Sequence, residues 1–301
     1  MTTDRASTTD RQSRTVGSLL GDICPQLAEA GIESSKLEAV WLIEHVLGLS
    51  GLTQIIDRDR PLSAREVANV QALVTRRAAR EPLQYILGTQ EFCGIEFAVT
   101  PSVLIPRPET ELLVEQIVQR ISAEQQSTVV DVCTGSGCIA VSVARLKPST
   151  RMIAIDISNA SLEVARENAR RHAVGDRITW LAGDMLEPMA EKELAGRVDV
   201  IASNPPYISE ADWVGLQPEV RCFEPKQALL AGSRGTEFHE RLLKDAHRYL
   251  TASGVLLMEI GAGQGPVVRQ LAETIGGYGP VRFIRDAADI ERVVIVERAE
   301  E

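Results

Sequence analysis

Val129-Val130-Asp131-Val132-Cys133-Thr134-Gly135-Ser136-Gly137-Cys138-Ile139-Ala140 reads as a strand that runs through a glycine turn directly into a helix. Glycines at such a turn let the backbone approach a ligand closely, and a ligand of an α/β sheet sits outside the carboxyl ends of its strands. Working outward, apolar runs at 152–156, 178–181, 198–203 and 255–260 predict further strands, and helical spacing over 137–146, 158–172 and 267–275 predicts the helices between them. Strand and helix in alternation imply a parallel sheet of the α/β class. The last two runs, 281–284 and 292–297, are too close for a crossover helix, so they pair antiparallel or insert beside a neighbour.

Upstream the pattern differs. From 16 to 84 apolar residues recur at helical spacing (Ala39, Val40, Leu42, Ile43, Val46, Leu47), which predicts a small helical domain. Segment 85–105 contains the alternating Glu91-Phe92-Cys93-Gly94-Ile95-Glu96-Phe97 and is expected to be a hairpin-like linker, with the sheet domain over 106–301. Residues 1–15 are polar, carry no apolar core like that of a secretory signal, and are expected to form a flexible tail.

The 301 residues are 44% apolar and 25% charged, an ordinary globular composition. A net charge of −10, with 10 Lys and Arg against 13 Asp and Glu in residues 1–105, argues against nonspecific binding to nucleic acid. Five cysteines without a CxxC pair suggest neither a disulfide framework nor a metal site, and no apolar stretch approaches membrane-spanning length. A cytoplasmic setting with reduced thiols is expected.

Three strand ends outline an adenosine pocket. Asp156, nineteen residues beyond Gly137, is placed to accept from two ribose hydroxyls, Asp184 to receive an adenine amino group, and Met185 to pack on the ring. Each has a plainer reading: Gly135 to Ala140 also fits the general dinucleotide fingerprint, Asp156 can cap the following helix, and Met185 can be core.

The strand at 198–203 ends in Asn204-Pro205-Pro206-Tyr207. Prolines fix their backbone and donate no hydrogen bond, so they end the strand and present carbonyls rigidly. An NH2 group conjugated to a carbonyl is a poor nucleophile because its lone pair is delocalised. The Asn204 side-chain oxygen and the Pro205 carbonyl can hold its two hydrogens and aim the lone pair at a sulfonium methyl, with Tyr207 as a wall. The gain is orientation and charge stabilisation, with no general base required.

NPPY after DVCTGSG resembles the amino-methylating branch of the S-adenosylmethionine (SAM)-dependent methyltransferases. Further segments resemble the HemK-type peptide chain release factor glutamine methyltransferases: Arg80-Glu81-Pro82-Leu83-Gln84-Tyr85-Ile86-Leu87-Gly88, Leu104-Ile105-Pro106-Arg107-Pro108-Glu109-Thr110-Glu111, Glu219-Val220-Arg221-Cys222-Phe223-Glu224-Pro225, and Arg285-Asp286 before Glu291-Arg292-Val293. The resemblance covers about residues 16–298. It implies a Rossmann-like methyltransferase sheet with a small amino-terminal helical domain that docks the substrate, and N5-methylation of the glutamine in the Gly-Gly-Gln motif of class I release factors. Candidate cofactor residues are Asp131, Cys133, Thr134, Gly135, Ser136, Gly137, Asp156, Asp184, Met185 and Asn204; catalytic and substrate residues are Asn204, Pro205, Pro206 and Tyr207, with Arg107 at the substrate mouth. Cys133 stands where many relatives carry glycine.

A ribosomal-protein glutamine methyltransferase, a DNA adenine methyltransferase and a non-catalytic SAM-binding module are the alternatives. The short stretch between Tyr207 and Thr236 leaves little room for DNA recognition, and the intact NPPY argues for an enzyme. Neither stable DNA binding nor membrane association is expected. Arg76, Arg77 and Arg80 read as a solvated helix face or a partner contact, and Glu109 to Glu111 as a mouth or a helix-dipole feature.

Overall fold

A computed structural model describes residues 14–122 and 126–299. The chain divides into one unit ending at Leu87 and a second beginning at Gly88. Most of the expected tail, residues 1–13, lies outside the described residues; Thr15 already belongs to the fold, as the cap of the first helix.

The first unit comprises α1 (Val16–Glu29), α2 (Ser35–Leu47), α3 (Gly51–Ile56), α4 (Ala64–Ala78) and α5 (Leu83–Leu87). Capping boxes start α1 (Thr15 with Ser18) and α4 (Ser63 with Glu66), satisfying amides that a helix start leaves free. Leu19, Ile23, Leu42, Ile43, Val70 and Val74 form its core. The expectation of a solvated helix face holds for Arg76, which is exposed, but not for Arg77. Arg77 is buried and paired with Glu38 at 2.5 Å, Arg76 is bound to Glu81, and Arg80 donates to the Gly31 carbonyl at 2.6 Å. These cations are bound within their own unit.

The second unit opens with a hairpin, β1 (Thr89–Phe92) and β2 (Ile95–Ala98), followed by α6 (Glu111–Arg120), β3 (Thr128–Val132), α7 (Cys138–Leu146), β4 (Arg151–Asp156), α8 (Asn159–Arg171), β5 (Ile178–Ala182) and β6 (Val198–Ser203). Then come β7 (Ile208–Ser209), α9 (Pro218–Phe223), β8 (Leu230–Gly232), α10 (Glu237–Ala246), β9 (Leu250–Glu259), α11 (Gly265–Ile275), β10 (Arg282–Arg285) and β11 (Glu291–Glu297). The main sheet has the order β10-β11-β9-β6-β3-β4-β5. Its last five strands in that order are parallel; β11 inserts antiparallel between β9 and β10, as the short final connection requires.

Because successive strand residues point to opposite faces, the sheet serves two cores. Val129, Met152, Ala154, Val200, Ala202 and Leu257 face one, with α6 and α7; Val130, Ile153, Ile155, Ile201, Leu256 and Met258 face the other, with α10 and α11. Burial on both faces explains why these strands read as nearly continuous apolar runs. Among the described residues no helix is long and apolar enough to cross a membrane.

The segment expected as a linker at 85–105 holds the hairpin, and the hairpin is part of the second unit's core. Cys93 and Gly94 both take positive φ in its two-residue turn, and Phe92 and Phe97 are buried edge to face. Asn168 of α8, fully buried, accepts from the Ala98 amide at 2.7 Å and donates to the carbonyls of Ala98 at 3.0 Å and Ser136 at 2.9 Å. One side chain therefore ties the hairpin to the glycine turn. Asn168→Ala removes the partner of three backbone groups, one buried and two part-buried, and an equilibrium urea titration is expected to show about 2 to 4 kcal/mol of destabilisation; a loss below about 0.5 kcal/mol would show that the backbone finds other partners.

Candidate active site

The five parallel strands end on one edge, and a cavity of about 370 Å³ lies there, within the range of small-ligand sites. Of the residues expected at the site, Arg107, Cys133, Thr134, Gly135, Ser136, Asp156, Asp184, Met185, Asn204 and Pro206 line it. Asp131, Gly137, Pro205 and Tyr207 do not.

Asp131 is fully buried, and its Oδ2 accepts from the Thr134 hydroxyl at 2.5 Å and the Ala140 amide at 3.2 Å. It shapes the glycine turn from behind, where it was expected to touch the ligand, because the pleat points it into the core shared with α7. Gly137 starts α7 at φ 79°, and a Cβ there would come within 3.0 Å of the Ala165 Cβ. Its lack of a side chain serves helix packing against α8. Cys133 takes φ 61°, a left-handed conformation that costs a residue with a Cβ about 1 kcal/mol. Glycine is thus not required for the turn to close. Burial pushes the Cys133 thiol up, so it stays a neutral wall atom, 3.8 Å from the Met185 sulfur.

Asp156 ends β4, and both of its oxygens already face backbone donors: Oδ2 accepts from the Gly135 amide at 2.8 Å and Oδ1 from the Ser158 amide at 2.9 Å. The cap of α8 is Ser158, whose hydroxyl accepts from the Ser161 amide. Burial raises the Asp156 carboxyl and the two backbone donors oppose that rise. A carboxylate has about four acceptor sites, which leaves room for ribose hydroxyls. Asp184 pairs with Arg241 at 2.7 Å, and Arg241 also stacks 5.7 Å from the Phe238 ring centre. Phe238 and Arg241 line the cavity and carried no sequence signal, since they come from the outer helix α10.

At the other end of the cavity stands Asn204. Its Nδ2 donates to the Thr110 hydroxyl at 3.0 Å, and that hydroxyl donates to Glu259 Oε2 at 2.6 Å. The Tyr207 hydroxyl donates to the second oxygen, Oε1, at 3.2 Å. Gln264 Nε2 holds the Tyr207 carbonyl at 2.9 Å. Burial pushes the Glu259 carboxyl up to about 7, against the two hydroxyl donors. Arg107 is ion-paired with Glu224, whose Oε2 also accepts from the Ile105 amide at 3.1 Å. Glu111 instead accepts from the Cys93 amide at 2.7 Å. Asp286 accepts from Arg292 at 2.7 Å and from two loop amides, so the carboxyl-terminal motif staples the β10–β11 turn. Glu259 was overlooked; its signal is a lone carboxylate in the apolar run at 255–260.

The cavity is thus bordered by the glycine turn after β3 and by Asn204 and Pro206 of the turn after β6. Residues 18–88 match the model of the PrmC N-terminal domain and residues 108–216 that of the methyltransferase small domain. A release factor glutamine methyltransferase of Geobacter sulfurreducens is 44% identical over 268 residues, 89% of this chain and 91% of that protein. The protein of the same name from Moorella thermoacetica is 38% identical over 287 residues, 95% of this chain and all of its own length. The chain belongs to the release factor glutamine methyltransferase family. Two solved structures share the fold of this methyltransferase: a Pyrococcus furiosus methyltransferase (TM-score 0.50, 17% identity, 77% of this chain and 99% of that one) and the hMettl16 catalytic domain (TM-score 0.53, 15% identity, 78% and 82%).

Burial raises the Asp131 carboxyl of this methyltransferase from 3.8 to about 7. The folded chain therefore binds that proton more tightly than the unfolded chain, and the stability it contributes is present in full below about pH 4 and lost as pH rises through 7. Asp131→Asn removes this dependence. Urea midpoints between pH 4 and 8 are expected to move in favour of the variant by about 2 to 4 kcal/mol relative to wild type; parallel profiles would mean that Asp131 is ionised throughout.

Proposed function

We propose that this enzyme transfers the methyl group of SAM to the N5 amide nitrogen of the glutamine in the Gly-Gly-Gln motif of class I peptide chain release factors, in the cytoplasm. The observation that carries the reading is the place of Asn204: it lines the cavity at the end of β6, next to the glycine turn that ends β3. In this reading adenosine occupies the end formed by Asp156, Asp184 and Met185, and the methyl points toward Asn204. SAM supplies an electrophilic methyl on a sulfonium. The Asn204 Oδ1 and the Pro205 carbonyl hold the two amide hydrogens, so the nitrogen turns its lone pair out of conjugation and toward that methyl. Pro206 and Tyr207 keep the turn rigid. The proton lost after transfer leaves to solvent, since positive charge on nitrogen makes it strongly acidic. The helical unit is assigned the docking of the factor. Leu52, Ile55 and Ile56 of α3 expose about 70% of their surface each, apolar area suited to a protein partner.

A site that hydrogen-bonds a substrate group rejects analogues lacking it by large factors. With SAM and an unmethylated release factor, mass spectrometry is expected to find one added methyl on the Gly-Gly-Gln glutamine, and none on a factor carrying Gly-Gly-Glu. Methylation of the Glu variant elsewhere on the chain, or of duplex DNA in place of protein, would overturn the assignment.

A further inference from the structure

We infer that Glu259 is a positioning residue for methyl transfer: through the Thr110 hydroxyl it dictates which end of the Asn204 amide meets the substrate. This deepens the proposed function and rests on its assignment of Asn204 Oδ1 as acceptor. Glu259 is 1% exposed and Thr110 2% exposed, so their hydrogen bonds are made chiefly to one another and to their protein neighbours. An ionised carboxylate only accepts, whereas a threonine hydroxyl has a single proton to give. At 2.6 Å from Oε2 that proton goes to Glu259, and the hydroxyl faces Asn204 with a lone pair only. Asn204, 3.0 Å away, must therefore offer its NH2 group, which turns Oδ1 away from Thr110. The polarity of the chain runs one way, from amide to hydroxyl to carboxylate.

The same carboxylate takes the Tyr207 hydroxyl on its other oxygen, so both ends of the Asn204-to-Tyr207 turn are anchored on one side chain. A glutamine at 259 has nearly the same shape but offers one acceptor and one donor. If its NH2 faces Thr110, the hydroxyl proton must turn to Asn204, and the Asn204 amide flips and presents NH2 toward the substrate NH2. If it faces Tyr207, the ring loses its anchor. Either outcome disables the holding of the amide while leaving the cofactor end, formed by Asp156, Asp184 and Met185, untouched. A buried carboxylate with a merely structural part would affect stability and not this polarity. The rest of its surroundings is consistent with a fixed element: its carbonyl takes the His239 ring nitrogen at 2.8 Å, and the neighbouring Arg292 is held by Asp286.

The experiment is single-turnover methylation of an intact, unmethylated release factor at saturating SAM and alkaline pH, comparing wild type with Glu259→Gln, Thr110→Val and Thr110→Ser. Glu259→Gln and Thr110→Val are expected to slow the chemical step about a hundredfold with SAM affinity and KM for the factor within about threefold of wild type, and Thr110→Ser, which keeps the hydroxyl, to restore most of the rate. Wild-type rates in Glu259→Gln and Thr110→Val, or a Thr110→Ser enzyme as slow as Thr110→Val, would overturn the inference. Should Glu259→Gln not fold, the nearly isosteric Thr110→Val carries the test. A second readout needs no substrate: the Asn204 side-chain NH2 resonance of the SAM-bound protein should exchange with solvent slowly in wild type and Thr110→Ser and faster in the other two. Equal exchange in all four overturns the relay, whereas slow exchange in an enzyme that leaves the factor unmethylated faults the proposed function and not the relay.

Discussion

Five parallel strands, β9-β6-β3-β4-β5, stop at a common edge, and the central part of the site follows from that constraint. Hydrogen bonding in register sets Val132 beside both Ile155 and Ser203, and Ser203 beside Met258, so the residues that come next in each strand meet at the cavity without any long reach. Asp156, Cys133, Asn204 and Glu259 are far apart in sequence and adjacent in space for this reason alone. The chain crosses from one strand to the next through helices, and the loops left at the edge are free to vary in chemistry.

Polar groups buried at this edge do most of the shaping. Asp131 sits behind the glycine turn, Asn168 ties it to the hairpin, and Glu259 anchors the turn that presents Asn204. Each makes two or three hydrogen bonds with groups that would be costly to leave unpaired in the core. The residues that line the cavity are therefore held by residues that never reach it, which gives the fixed geometry that orientation-based catalysis needs.

The alternation of strands and helices, the antiparallel ending and the two strand-end turns were legible in the sequence, because apolar period and glycine or proline placement are local signals. The family resemblance rested on the segments around Arg107, Asn204 and Glu224, and sequence relatives that cover most of the chain bear it out. Less legible was the side to which a residue turns. Asp131 stands in the same motif as Cys133, yet the pleat sends it inward, and Tyr207 ends its motif by turning its hydroxyl to Glu259 instead of to the cavity. Arg77 and Arg80 misled for a similar reason. Their partners, Glu38 and the Gly31 carbonyl, come from a distant part of the helical unit, where no spacing rule reaches. The hairpin at Thr89–Ala98 was recognised by its alternation, but its packing into the second unit depends on Asn168, seventy residues away.

Family membership fixes a methyltransferase; how this site makes an amide nucleophilic is the central claim, and it is a claim about two acceptors. The most direct measurement is a crystal structure of the enzyme with S-adenosylhomocysteine and a release factor carrying its Gly-Gly-Gln loop. The account predicts that the glutamine amide nitrogen lies about 3 Å from both Asn204 Oδ1 and the Pro205 carbonyl, with its open face toward the cofactor sulfur. A glutamine bound through its carbonyl oxygen to Asn204 Nδ2, with the amide nitrogen turned from the sulfur, would contradict it.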